Sequence, residues 1–267
     1  MKNVKTFKKM KKDNKKIVMV TAYDYPSGKY VQEGDVDIIL VGDSLGMVIL
    51  GYEDTLKVTL DDILHHTKAA RRGADNTFIV ADMPFMSYNL NLEQTKINAA
   101  RLITEGGANA VKLEGGKPSR LEAIKAIVDC EIPVVAHLGL TPQSINTFGG
   151  YRVQGKKEVE FKNILMQAKE IEKAGAFMLV LEGIPEELGR TISETLTIPT
   201  IGIGAGKFTD GQVLVYHDIL GMADFKPKFV KNYAQLNKDI PSSIKDFVDE
   251  VKDGKFPTTE NIYNPIK

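Results

Sequence analysis

Four carboxylates stand where short apolar runs end. Residues 37–43 finish in Asp43, 78–82 in Asp82, 110–114 in Glu114 and 177–182 in Glu182. Short β-branched runs of this kind predict buried strands of a parallel sheet. A carboxylate at the C-terminal end of such a strand lies where α/β enzymes build their active sites. Gathered at one mouth, Asp43, Asp82 and Glu114 repel one another unless something neutralises them. Magnesium suits that need, because it takes oxygen ligands and leaves positions for water and substrate. Zinc is less expected in a chain with one cysteine and four histidines. Glu182, on a strand across from the other acids, is placed to take a proton from a carbon beside a polarised carbonyl.

Other residues flank these acids. Lys112 lies two residues before Glu114, so a strand puts both on one face. It reads as an ion pair with a neighbouring acid, or as a cation for a substrate carboxylate or an enolate oxygen. His137 ends the fifth run and reads as a satisfied, half-buried histidine or as a catalytic one. His217 ends the eighth run and its role is open. His65 and His66 fall in a helical stretch and are expected to play no part in chemistry.

The elements that must position these groups alternate along the chain. Strands are predicted at 17–22, 37–42, 78–82, 110–114, 133–137, 177–182, 199–204 and 212–217. Helices are predicted at 60–72, 92–105, 118–128, 159–173 and 185–196. Thr59 makes an N-cap ahead of Asp61 and Asp62, Gly106-Gly107 a helix stop, and Pro118 a first-turn proline. Eight such βαβ units in 267 residues favour a closed (β/α)8 TIM barrel, an α/β single domain spanning 1–267. A helix at 240–251 is read as the last barrel helix, followed by a short tail. Two long connections, 44–59 and 138–157, each follow a strand's C-terminal end, and loops this long are usually functional.

Composition narrows the class further. Lysine and arginine balance aspartate and glutamate at 35 each, so no global charge draws the chain to nucleic acid or an anionic membrane. No apolar run approaches a membrane helix, and no secretory signal is evident. One cysteine excludes an internal disulfide and fits a reducing cytoplasm. Cys130, just before 132–135, reads as a small buried hydrophobe, with a reactive thiol as the alternative. The lysine-rich segment 2–16 reads as a solvated tail or first helix, with a basic contact to a partner subunit or an anionic ligand as the alternative. The run Gly202-Ile203-Gly204-Ala205-Gly206-Lys207 fits neither dinucleotide nor P-loop spacing, but it follows the seventh strand, a common phosphate position in barrels.

Several longer motifs carry a resemblance. They are 41–47 (VGDSLGM), 81–85 (ADMPF), 111–116 (VKLEGG), 136–143 (AHLGLTPQ), 149–155 (GGYRVQG), 181–182, 198–206 and 210–215. Together and in this order they resemble the ketopantoate hydroxymethyltransferase family. The resemblance implies a metal-dependent barrel enzyme that moves a one-carbon unit from 5,10-methylenetetrahydrofolate to 3-methyl-2-oxobutanoate. It implies magnesium ligands at Asp43, Asp82 and Glu114, substrate contacts at Asp43, Ser44, Asp82 and Lys112, and Glu182 as general base. It also implies a large homo-oligomer, commonly a decamer. Gly183 stands where the family pattern leads one to expect cysteine, and Lys57 where proline is common. Two other readings compete. One is a magnesium-dependent lyase or mutase of the isocitrate lyase or phosphoenolpyruvate mutase type, in which a reactive loop cysteine is expected. The other is a non-catalytic barrel binding a phosphorylated ligand at 202–206.

Overall fold

In the computed structural model the predicted strands pair as one closed parallel barrel. The strands are β1 (Ile17–Thr21), β2 (Ile38–Val41), β3 (Phe78–Asp82), β4 (Ala110–Glu114), β5 (Val134–Gly139), β6 (Met178–Glu182), β7 (Thr200–Ile203) and β8 (Gly211–Leu214). Each pairs with the next in sequence, and β8 closes on β1. The structure describes residues 1–223 and 227–263; the end of the expected C-terminal tail, 264–267, lies outside the described residues. The chain divides into two compact units, Met1–Tyr216 and His217–Lys267.

Helices follow from local signals. They are α1 (Val4–Lys12), α2 (Tyr25–Glu33), α3 (Leu45–Val48), α4 (Leu60–Gly73), α5 (Leu92–Thr104), α6 (Pro118–Val128), α7 (Ile145–Phe148), α8 (Glu158–Lys173) and α9 (Glu186–Thr195). Thr59 caps α4 by accepting the Asp62 N–H, and Pro118 opens α6, as the sequence predicts. The unpredicted α2 starts at a capping box, in which the Asp24 side chain accepts the Ser27 N–H. Residues 204–210 join β7 to β8 without a helix.

Alternate strand residues fill the barrel. Ile17, Met19, Ile38, Leu40, Phe78, Val80, Ala110, Val135, Met178, Val180, Ile201 and Val213 form one buried cluster. Their neighbours in sequence, such as Ile39, Ile79, Val111 and Leu179, are buried too. Burial on both faces explains why the strands read as continuous apolar runs. Phe7 of α1 joins the inner cluster and meets Phe78, the first residue of β3, edge to face at 5.1 Å. Val4 and Met10 pack beside it. The lysine-rich segment is therefore a helix with a buried apolar edge that caps the N-terminal end of the barrel, not a solvated tail.

Two expectations fail locally. Cys130 is exposed, because it falls in the turn after α6, where its N–H bonds back to the Ile127 carbonyl. β8 ends at Leu214, so His217 is not at a strand end. It lies in the short helix α10 (Tyr216–Ile219) and belongs to the second unit. That unit also holds α11 (Leu236–Lys252), the predicted helix at 240–251 extended at both ends. Within it, the Tyr233 N–H donates to the Ile219 carbonyl and the Leu236 N–H to the Leu220 carbonyl.

Candidate active site

Strand register sets where the charges go. The inward row of β3 runs Phe78, Val80, Asp82, and that of β4 runs Ala110, Lys112, Glu114. On β5 it is Val135 then His137, and on β6 Met178, Val180, Glu182. The apolar filling thus gives way to charge at the C-terminal ends of four adjacent strands. Asp82 sits beside Lys112 and Glu114 beside His137 in register. Asp43 follows β2 in the turn before α3, and its N–H donates to Asp82 Oδ2 at 2.9 Å.

These groups form one buried network. Asp43, Asp82, Lys112, Glu114 and His137 are each 4 % exposed or less. Lys112 Nζ lies 3.0 Å from Asp82 Oδ1 and 3.9 Å from Glu114 Oε1. His137 stands between two acids, with Nδ1 3.2 Å from Glu114 Oε1 and Nε2 3.3 Å from Glu182 Oε2. Glu182 is the less buried end of the chain, its side chain 17 % exposed. Ser44 Oγ lies 2.8 Å from the Tyr23 hydroxyl.

The backbone around Glu182 is tightly set. Its carbonyl accepts the Leu140 N–H at 2.8 Å. Gly139 stands opposite it in register with φ +94°, and a Cβ there would lie 2.2 Å from that carbonyl oxygen. Glycine is therefore required at 139 for both conformation and space.

The long segment after β5 contributes the residue that sequence reasoning passed over. Residues Pro142–Ser144 form a 3-10 turn that buries Gln143. Its backbone N–H donates to Glu114 Oε2 at 3.1 Å. Its amide Nε2 donates to Asp43 Oδ2 at 2.8 Å and to the Met83 carbonyl at 3.1 Å. Its Oε1 accepts from the Tyr88 hydroxyl at 2.6 Å, and that hydroxyl accepts the Glu114 N–H at 3.2 Å. The length of the connection pointed to function, but nothing in the sequence singled out Gln143 within it.

Proton affinities follow from this crowding. Burial, then the charges of Asp82 and Glu114, push Asp43 up to about 8. Burial also raises Asp82, against the pull of Lys112 and the Asp43 N–H. Glu114 is pushed up by burial, but the His137 hydrogen bond and charge, then Lys112, outweigh it and hold it below the usual carboxylate range. Burial and Lys112 press His137 down, yet its contacts with Glu114 and Glu182 win and lift it to about 9. Lys112 is held firmly charged: burial opposes the charge, and Asp82, Glu114 and Asp43 together overcome it.

Among the described residues, no three His, Cys, Asp or Glu side chains are drawn together as a ready set of metal ligands. The donors nevertheless fit a hard cation. They are carboxylate oxygens, and after burial it is the negative charge of Asp82 and Glu114 that pushes Asp43 up. Asp82 Oδ1 and His137 Nε2 are buried without an aligned hydrogen bond, although each has an opposite charge within 3.3 Å.

The remaining candidates are structural or lie elsewhere. His66 Nδ1 lies 2.6 Å from the Tyr23 carbonyl, on α4. In the glycine run, the Lys207 N–H donates to Glu186 Oε2, and a Cβ on Gly206 would strike Glu186 at 2.4 Å. Gly206 thus serves the packing of the 204–210 segment against α9.

Known proteins bear on this arrangement in two ways. A phosphoenolpyruvate phosphomutase from Streptomyces platensis subsp. rosaceus is 14% identical, with a TM-score of 0.64, over 99% of this chain and 92% of that one. A phosphonopyruvate hydrolase, solved in complex with oxalate and Mg++, has a TM-score of 0.63 at 10% identity over 98% of this chain and 93% of its own. At such identities the likeness concerns the fold alone. Sequence relatives are far nearer. The 3-methyl-2-oxobutanoate hydroxymethyltransferase of Clostridium kluyveri is 57% identical over 97% of this chain and 92% of its own length. That of Clostridium acetobutylicum is 55% identical over 96% and 94%. Residues 1–259 match the ketopantoate hydroxymethyltransferase family as a whole, and the chain belongs to that family.

Proposed function

We propose that the protein is an enzyme that transfers a hydroxymethyl group from 5,10-methylenetetrahydrofolate to 3-methyl-2-oxobutanoate, forming 2-dehydropantoate for pantothenate synthesis. The observation that carries this reading is the buried row Asp43–Asp82–Lys112–Glu114–His137–Glu182 at the barrel mouth of a chain in this family. Lysine and histidine offset part of the negative charge, and the least buried acid stands at the end of the row.

Asp43, Asp82 and Glu114 would hold magnesium, which when bound supplies Lewis-acid polarisation of the substrate's ketone. Lys112 stays charged beside Asp82 and Glu114 and offsets the negative charge that develops as an enolate forms. Ser44 and Asp82 orient the substrate. Glu182 removes the C3 proton, and His137 holds its carboxylate toward the mouth. The C3–H bond breaks, a bond forms to the one-carbon unit, water supplies the hydroxyl and tetrahydrofolate leaves. Among the described residues no helix is long and apolar enough to cross a membrane, and we read the enzyme as a cytoplasmic homo-oligomer, a decamer by family resemblance. Its partners are small molecules, without nucleic acid.

The test is direct. The protein is incubated with 3-methyl-2-oxobutanoate, methylenetetrahydrofolate and magnesium, and 2-dehydropantoate is measured. Folded protein that forms none under these conditions refutes the proposal.

A further inference from the structure

We infer that Gln143 is a positioning residue that orients the Asp43 and Glu114 carboxylates as ligands for a divalent cation. The inference rests on the magnesium reading above and goes beyond it, because Gln143 is neither an acid nor on a barrel strand.

Three facts carry it. First, Gln143 joins three strand ends at once: Asp43 after β2, Met83 after β3 and Glu114 on β4. Second, its amide has one orientation. Nε2 faces two acceptors, Asp43 Oδ2 and the Met83 carbonyl, and uses one N–H on each. Oε1 faces the Tyr88 O–H. A flipped amide would set oxygen against a carboxylate and a carbonyl. Third, it grips one oxygen of each acid, Oδ2 of Asp43 and Oε2 of Glu114. The carboxylates are thereby oriented, as supporting hydrogen bonds orient ligands at metal sites.

The geometry also separates this role from packing. Met in place of Gln143 keeps the volume and removes both side-chain donors, while the backbone N–H to Glu114 remains. Glu in its place would put a third carboxylate against Asp43 Oδ2 and the Met83 carbonyl. Phe in place of Tyr88 leaves Gln143 present but frees its Oε1.

The experiment titrates Mn²⁺ alone into metal-free wild type, Q143M and Y88F, following free Mn²⁺ by electron paramagnetic resonance. Melting temperatures are recorded in EDTA. Q143M is expected to weaken Mn²⁺ binding at least ten-fold and Y88F about three-fold. The magnesium half-saturation in turnover should rise by similar factors, with kcat at saturating metal within about three-fold of wild type. Unchanged Mn²⁺ affinity in Q143M, with only a lower melting temperature, would make Gln143 packing material and overturn the inference. If Q143M does not fold, unchanged affinity in Y88F does the same. Wild type that binds no Mn²⁺ overturns the metal reading itself and this inference with it.

Discussion

Lys112→Met tests whether the buried charges hold each other in place. The lysine is 4 % exposed and touches two acids, at 3.0 and 3.9 Å. With an effective dielectric near 20, these separations correspond to attractions of about 5.5 and about 4 kcal/mol. Burying the ammonium and its partners consumes much of that, several kcal/mol for each ion. Removing one partner, however, leaves the others buried and uncompensated, and such losses run to about 3–5 kcal/mol. We therefore expect metal-free K112M to lose about 3–5 kcal/mol against wild type near pH 8, by urea unfolding in EDTA at equal m-values. At pH 5 the loss should shrink, because Asp43, raised to about 8, is then protonated and has shed its charge. Magnesium should narrow the gap at pH 8 by supplying the missing positive charge. A loss below about 1 kcal/mol at pH 8 would mean that Lys112 is in effect a solvated surface cation, and the network argument would fail.

Three further outcomes follow from the same geometry. Glu182→Gln should still bind 3-methyl-2-oxobutanoate but exchange its C3 proton with deuterated water at least 100-fold more slowly, a size typical of general-base loss; undiminished exchange by NMR removes Glu182 from that role. In EDTA the melting temperature should fall as pH rises from about 5 to about 9. His137, lifted to about 9, stabilises fully below its unfolded value and loses that contribution as pH passes about 9. Asp43, lifted to about 8, keeps a proton that the unfolded chain gives up near 4, so ionising it also opposes folding; a flat or rising profile contradicts both assignments. Phe7→Ala should destabilise the barrel by about 3–5 kcal/mol while leaving KM unchanged, since Phe7 fills the opposite end of the core; a shifted KM with unaltered stability would refute that placement.

The sequence made the strand-end charges legible for a physical reason. Inward filling repeats every second residue, so an acid that continues the row, as Asp82 continues Phe78 and Val80, is aimed by the strand itself. Lys112 and Glu114 could be placed on one face by the same rule. Gln143 obeys no such period. It reaches the acids through a 3-10 turn inside a long connection, and its role depends on contacts with Asp43, 100 residues away in sequence. A first helix at 2–16 was legible, but its buried edge was not, because the lysines hide the one buried aromatic, Phe7. α2 was missed because Pro26, Gly28 and Gly34 look like breakers, although the proline falls in the first turn and Gly34 at the C-cap, where helices accept them. Cys130 looked buried by residue type, but position in a turn decided its exposure.

His137 changes how the two halves of the site should be understood. From sequence, Asp43, Asp82 and Glu114 form a cation platform and Glu182 a separate base. The imidazole reaches Glu114 with one nitrogen and Glu182 with the other. A neutral imidazole can donate through one nitrogen only, whereas imidazolium donates through both. The surrounding acids favour imidazolium, so a single positive charge lies between Glu114 and Glu182. Any charge brought to Glu114 therefore changes how strongly His137 holds Glu182. Four carboxylates face two cations here, Lys112 and His137, leaving two negative charges when all are ionised. Without a cation, the fold limits that excess by keeping a proton on Asp43. A divalent cation would offset it without that proton, and the platform and the base would then work as one electrostatic unit rather than two.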